Sequence, residues 1–210
     1  NNYKKKDTTS VIKKATLMNP NPSRKMKNKF FRTSDCRTLN KINEIRKLVE
    51  SKFKKDDWKY HVSLVLKYAK KLAKLYKADE QLVELGALLH DIGRTKMEND
   101  VEHHITGISG AEEILRKFNY PERIIKEIKH CVASHRLDKG PKPKTLIAKI
   151  IANADAMAHF DALPIFFYWR AIQGENFEDV TKWVDNKIEK DWHKKITLFK
   201  ARKLVEKKYR

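Results

Sequence analysis

Apolar residues return along this chain at intervals of three and four, the period of a helix, and nowhere alternate for long enough to make a strand. Leu39, Ile42, Ile45, Leu48 and Val49 set the period of a first helix, which Ser34 or Asp35 is placed to cap. From about Asp57 to Tyr76, Trp58, Val62, Val65, Ala69, Leu72 and Ala73 make one stripe, with His61 beside it on the buried side. A third segment, Glu80 to Asp91, is apolar at Leu82, Val83, Leu85, Leu88 and Leu89, and Gly93 is placed to end it with a left-handed residue. Helices are predicted from about His103 to Phe118, from Pro121 to Ser134 and from Thr145 to His159, with Pro121 suited to a first turn. The glycine and prolines of 137–144 predict a loop. Beyond Pro164, the aromatic run Phe166, Phe167, Tyr168, Trp169 leads to Gly174, and Val180, Trp183, Val184 and Ile188 restart the helical spacing. The aromatic run reads first as core and second as a base-stacking platform. The pattern contains no internal repeat and predicts an all-α fold.

Composition refines that picture at the ends. A chain of 210 residues with 40% hydrophobic content can bury one sizeable core. We expect a single helical domain over 36–210, including a basic C-terminal helix. Forty-seven Lys and Arg against 27 Asp and Glu give a formal charge of +20, enough to attract nucleic acid, nucleotides or an anionic membrane surface. The excess lies toward the termini: 1–35 carries ten basic residues against two acidic ones, and 182–210 eleven against four. Residues 1–35, with Lys runs and Asn-Pro-Asn-Pro-Ser, read as a basic disordered extension, a solvated tail first and a nucleic-acid arm second.

Two cysteines, Cys36 and Cys131, without CxxC spacing, argue against a disulfide framework and a thiolate zinc site, and point to a reducing compartment. No apolar run approaches the roughly 20 residues that cross a bilayer, and the basic start lacks the apolar stretch of a signal peptide. The expected location is cytoplasmic.

The chemistry concentrates in the middle. Seven of the eight histidines lie between His61 and His159, with only His193 outside. Imidazole nitrogens mixed with carboxylates and no thiolates suit Mn, Fe, Zn, Ni or Co, with Mg joining where carboxylate and water dominate. The adjacent pair His90-Asp91, at the end of a helix, can send both side chains to a centre beyond the terminus, and the carboxylate has two oxygens with which to bridge two ions.

These residues resemble the HD-domain superfamily of metal-dependent phosphohydrolases. The resemblance runs from His61 through Ala87-Leu-Leu-His-Asp-Ile-Gly-Arg94, His103-x-x-x-Gly107 with Ala111, Ile114 and Leu115, and His130-Cys-Val-Ala-Ser-His135, to Ala148-Lys-Ile-Ile-Ala-Asn-Ala-Asp155. It implies an HD-type helical bundle in which His61, His90, Asp91 and Asp155 hold a first metal. Asp91 would bridge to a second held by His103 and His130, with His135 close by as a supporting group or an alternative ligand. One or two divalent ions per chain are therefore expected. His104 competes with His103 for the inward position, and the spacing to Gly107 and Ala111 favours His103. Arg94 matches a basic residue near the substrate phosphate. The family's frequent Asp-Ala-Asp is here Asn153-Ala154-Asp155, so the ligand is kept and a neighbouring carboxylate is not.

The expected activity is hydrolysis of a phosphomonoester or phosphodiester, in a nucleotide or small phosphorylated metabolite, by metal-activated water. Asp91 and Arg94 would be the catalytic residues. Arg94, Lys142 and Lys144, with Lys96, Arg136 and Lys139, would line an anionic entrance. Two alternatives accompany this reading: a diiron oxygenase with similar ligands, and a nucleic-acid-binding protein or nuclease that uses the basic ends. His159, one turn beyond Asp155, reads as a supporting or exposed group, His193 as surface, and Cys131 as a small buried thiol.

Overall fold

A computed structural model describes residues 36–96, 102–137 and 139–210. The predicted N-terminal extension, the Ser34/Asp35 cap and the side chain of Lys96 lie outside the described residues. The chain forms α1 (Cys36–Lys52), a short α2 (Lys55–Asp57), a π turn (Trp58–Val62) running into α3 (Ser63–Tyr76), α4 (Glu80–Leu89), and a 3-10 turn (Ile92–Lys96). It continues with α5 (His103–Lys117), α6 (Glu122–Ser134), α7 (Leu146–His159), α8 (Leu163–Ala171), α9 (Phe177–Lys190), a second π turn (Asp191–Lys195) and α10 (Phe199–Tyr209). The fold is all-α, with no strand among the described residues.

Local chemistry sets the boundaries. Asp79 caps α4 by accepting from the amides of Gln81 and Leu82, and the Thr145 hydroxyl caps α7 by accepting from Ala148. Lys77, in the left-handed conformation with φ 53°, closes α3.

Packing then places α7 centrally: α3, α4 and α6 all lie against it, and α5 packs on α6 and on the 3-10 turn. Nearly all of α7 is buried, polar residues included. Leu72, Leu85, Leu88, Leu89, Leu115, Ile125, Ile128, Ile150, Ile151 and Met157 are among the largest fully buried side chains. A smaller cluster of Ala162, Ile165, Phe166, Val180 and Val184 forms where α8 meets α9.

Two sequence expectations need correction. The helix expected from Asp57 to Tyr76 is interrupted: the Ser63 amide bonds to the Trp58 carbonyl five residues back, so His61 sits on a widened turn. Gly93 is not a left-handed terminator, since Gly174 is the one glycine with positive φ among the described residues. Its lack of a side chain serves a close approach instead. A Cβ there would stand 2.1 Å from the His103 carbonyl oxygen and 2.7 Å from the Gly107 nitrogen.

Candidate metal centre

Five elements converge on one spot. The π turn brings His61, the end of α4 brings His90 and Asp91, the first turn of α5 brings His103, the residue after α6 is His135, and α7 brings Asp155. All six are buried. Their donor atoms fall into two sets, His61, His90 and Asp155 in one, and Asp91, His103 and His135 in the other, each set lying within 4.8 Å.

Asp91 joins the sets. Its Oδ2 is 3.1 Å from His61 Nε2 and 3.5 Å from His90 Nε2. Its Oδ1 is 3.1 Å from His103 Nε2 and 3.2 Å from His135 Nε2. Asp155 Oδ1 closes the first set at 3.3 Å from His61 Nε2. His90 and His135 donate from Nδ1 to the carbonyls of Ala87 (2.8 Å) and Val132 (2.7 Å). Those bonds fix the tautomer and leave a lone pair on each Nε2, turned inward.

That arrangement suits a metal ion better than it suits itself. His90 Nε2 stands 3.3 Å from His61 Nε2, and His103 Nε2 3.2 Å from His135 Nε2, so ring nitrogens converge in pairs. Asp91 Oδ1, fully buried, has two imidazoles at hydrogen-bond range and no well-aligned hydrogen bond. A buried acceptor without a donor costs about 1–3 kcal/mol, and a shared cation satisfies the whole group at once. Nitrogen and oxygen donors without sulfur match divalent Mn, Fe, Co, Ni or Zn.

Electrostatics agree with this reading. Burial pushes the His90 imidazole down to about 4. His61 suffers the same burial, but its hydrogen bonds and charge interactions with Asp155 and Asp91 outweigh it and raise it to about 9. Without metal, a proton on His61 takes the place between the carboxylates. Burial works against ionised Asp91, yet Arg94 and His90 hold it well below the carboxylate range. Asp155 is held low in the same way, chiefly by His159 and His61.

A cavity of about 240 Å³ opens over the centre. Arg94 and Arg136 enter it from the HD half, and Lys187 and Lys195 from the C-terminal helices, while Phe53, Phe166, Trp169 and Trp183 supply apolar wall. Arg94 Nε donates to Asp91 Oδ2 at 2.7 Å. Behind the wall, His159 Nδ1 donates to Asp191 Oδ2 at 2.6 Å.

The sequence expectations map unevenly onto this geometry. His61, His90, Asp91, His103 and Asp155 come together as expected. His130 does not: its Nε2 accepts the Lys144 amide at 2.9 Å, and His135 stands in the place expected for it. Five residues apart at a helix end, the two side chains point about 140° apart around the axis. His104 is buried beside His103 with Nδ1 unpartnered, and His103 is the one that meets Asp91. Lys142 and Lys144 are exposed and absent from the cavity wall, as is Lys139, whereas Arg136 lines it. His159, read as a supporting or exposed residue, is buried and stacked on His61 with ring centroids 5.4 Å apart. Phe166 and Trp169 belong to the small core cluster and face the cavity as well. Lys187, Lys195, Trp183 and Phe53 were not singled out, because no motif marks their segments.

An all-α bundle that buries histidines and aspartates at the meeting point of its helices defines a protein with two donor sets that could hold metal ions. More particularly, residues 58–159 match a family model described as HD domain. Over 113 residues the chain is 37% identical to the tRNA (cytidine(56)-2'-O)-methyltransferase of Picrophilus torridus, a match covering 49% of this chain and 32% of that protein. Over 110 residues it is 36% identical to the uncharacterized protein MJ0778 of Methanocaldococcus jannaschii, covering 45% of this chain and 62% of that one. The chain thus spans about a third of the length of the Picrophilus methyltransferase. Among solved structures, Bacillus subtilis YpgQ, in complex with ADP, shares the fold with a TM-score of 0.66 at 19% identity, over 82% of this chain and 89% of that one. A predicted HD superfamily hydrolase from an uncultured Thermotogales bacterium aligns with a TM-score of 0.51 at 25% identity, over 78% and 91%.

Proposed function

We propose that the protein is a metal-dependent hydrolase of phosphate esters, acting on a nucleotide or another small phosphorylated metabolite. One observation carries the reading: the Asp91 carboxylate presents one oxygen to each of two histidine-bearing donor sets, so it would help to hold an ion at either. His61, His90 and Asp155 would hold one ion, and His103 and His135 the other. Bound divalent ions supply Lewis acidity to the phosphoryl oxygens and lower the pKa of a water enough for it to attack phosphorus near neutral pH.

The chain's own groups do the rest. His90 and His135, pinned by backbone carbonyls, keep their lone pairs directed inward. Arg94, beside Asp91, offsets the charge that grows on the phosphoryl oxygens. The four cations around the cavity favour an anionic substrate, and its aromatic wall favours one with a flat organic part. YpgQ, of the same fold, is found in complex with ADP, a ligand of that chemistry.

Elemental analysis of the purified protein, run beside hydrolysis of an aryl phosphate and a nucleotide panel, tests the proposal. One or two divalent ions per chain with phosphatase activity is the expected result. The variant Asp91→Ala should lose both metal and hydrolysis while its far-ultraviolet circular dichroism stays helical. Hydrolysis that survives this substitution would sink the mechanism. An iron pair with oxygen-dependent turnover and no hydrolysis would point to an oxygenase, and cleavage of RNA alone to a nuclease.

A further inference from the structure

Lys187 has more hydrogen-bonding capacity than its surroundings use. It lies on α9, beyond residues 58–159, and lines the cavity. Its ammonium stands 3.1 Å from His159 Nδ1 and 3.5 Å from Asp191 Oδ2. A carboxylate only accepts, so His159 Nδ1 must give its proton to Asp191 Oδ2 at 2.6 Å and keeps no lone pair for a lysine. Two donors therefore crowd one oxygen, and the closer one is the histidine. Asp191 is drawn on again by Lys195, whose ammonium is 3.1 Å from Oδ1. Lys187 Nζ also lies 5.3 Å from the centroid of the Phe166 ring, a face that attracts the cation but accepts no conventional hydrogen bond. An ammonium has three donors, and here at most one is engaged, over a long distance.

We infer that Lys187 is an anion-binding residue of the cavity, which receives a phosphoryl oxygen of the substrate from the α9 wall. The inference rests on the proposed phosphate-ester reading and adds the residue that grips the substrate from the C-terminal helices. Asp191 holds the ammonium at the cavity wall through one long contact, and the incoming phosphate supplies the acceptors that Lys187 lacks. Lys187 touches the ligand and leaves metal binding to the HD half.

Inorganic phosphate is the probe. Isothermal titration of phosphate into the Mn-loaded full chain should show binding that weakens roughly ten- to a hundred-fold in Lys187→Gln, the range expected for one charged hydrogen bond. Lys187→Arg should recover most of that loss, and metal content should be equal in all three proteins. Equal phosphate affinity in Lys187→Gln and wild type overturns the inference. So does loss of metal in Lys187→Gln, which would make the lysine a scaffold of the centre. Should Lys187→Gln fail to fold, amine labelling of the wild type followed by mass spectrometry decides the matter. Saturating phosphate must then protect Lys187 and leave exposed Lys142 labelled as before; equal labelling of Lys187 with and without phosphate overturns it. Absence of hydrolysis in wild type would defeat the functional proposal yet leave the isotherm and the labelling readable, so the two failures are distinct.

Discussion

Two histidines on one short stretch, His130 and His135, take different partners. His130 accepts the Lys144 amide and so holds the segment before α7 against α6, whereas His135 aims Nε2 at Asp91. His135→Ala should therefore lower bound metal per chain by about one ion in a two-ion protein, and His130→Ala should leave metal content unchanged. Elemental analysis of both variants checks this, and the opposite pattern would restore His130 as the ligand. The sequence reading put His130 in the site and kept His135 as a supporting group or alternative, because which of the two faces inward depends on where α6 ends. Asn153 is a parallel case. It stands where the family often has aspartate, and the amide suits its work: Oδ1 accepts from the amides of Thr197 and Leu198 at 2.9 Å each, while Nδ2 donates to the Lys149 carbonyl at 2.8 Å. A carboxylate could make the first two bonds and would repel the third. Sequence alone showed the departure and not its use, since two of the three partners, Thr197 and Leu198, lie more than forty residues downstream.

At the level of the element, the turn after α4 decides where the second donor set stands. Ile92–Lys96 packs against the start of α5, and Gly93 lets the backbone carrying His103 approach within the space of a missing side chain. Gly93→Val should push α5 away, since a Cβ would overlap the His103 carbonyl and the Gly107 nitrogen, both backbone atoms of α5. We expect a destabilisation of about 2–4 kcal/mol, read by chemical denaturation, together with weaker metal binding at the His103 and His135 set. An unchanged metal affinity would separate the turn from the site. The helical elements themselves were plain in the sequence, since the apolar period of α3, α4, α6 and α7 is strong and their buried stripes are those the spacing marks. The widened turn at His61 was not, because a π turn leaves the same residue types in nearly the same order.

For the whole molecule, the buried histidines tie folding to proton concentration. In the metal-free protein, His61 has its pKa raised from 6.5 to about 9, so its stabilising contribution is complete below 6.5 and is lost as pH rises through about 9. His90 and His159 are lowered from 6.5 to about 4, so theirs are complete above 6.5 and lost as pH falls through about 4. These three together give the metal-free protein greatest stability near pH 6.5, with a decline on both sides. Thermal melts of chelator-treated protein from pH 4 to pH 9 read it directly, and a melting temperature that climbs steadily toward pH 9 would contradict the alkaline arm. The basic C-terminal helix is also partly spent within the molecule. Arg202 donates to the Ile196 and Trp192 carbonyls, Lys200 to the Leu75 carbonyl, and Lys208 pairs with Asp161. The net charge read from composition therefore overstates what α10 offers to a polyanion.

Two of the helical tracts that border the cavity count differently from ordinary helix. Trp58–Val62 and Asp191–Lys195 each close a loop of six residues where an α turn closes five, as the bonds from Ser63 to Trp58 and from Ile196 to Asp191 record. Each is equivalent to one residue inserted into an otherwise continuous spiral. Removing Lys59, an exposed member of the first, would restore the ordinary count and swing Asp57 about 100° around the axis relative to His61. Asp57 lines the cavity but belongs to neither donor set, so the shortened chain should keep its metal and show a raised KM. An alignment that treats this stretch as unbroken helix would place His61 in register with the wrong neighbour in any relative lacking the extra residue.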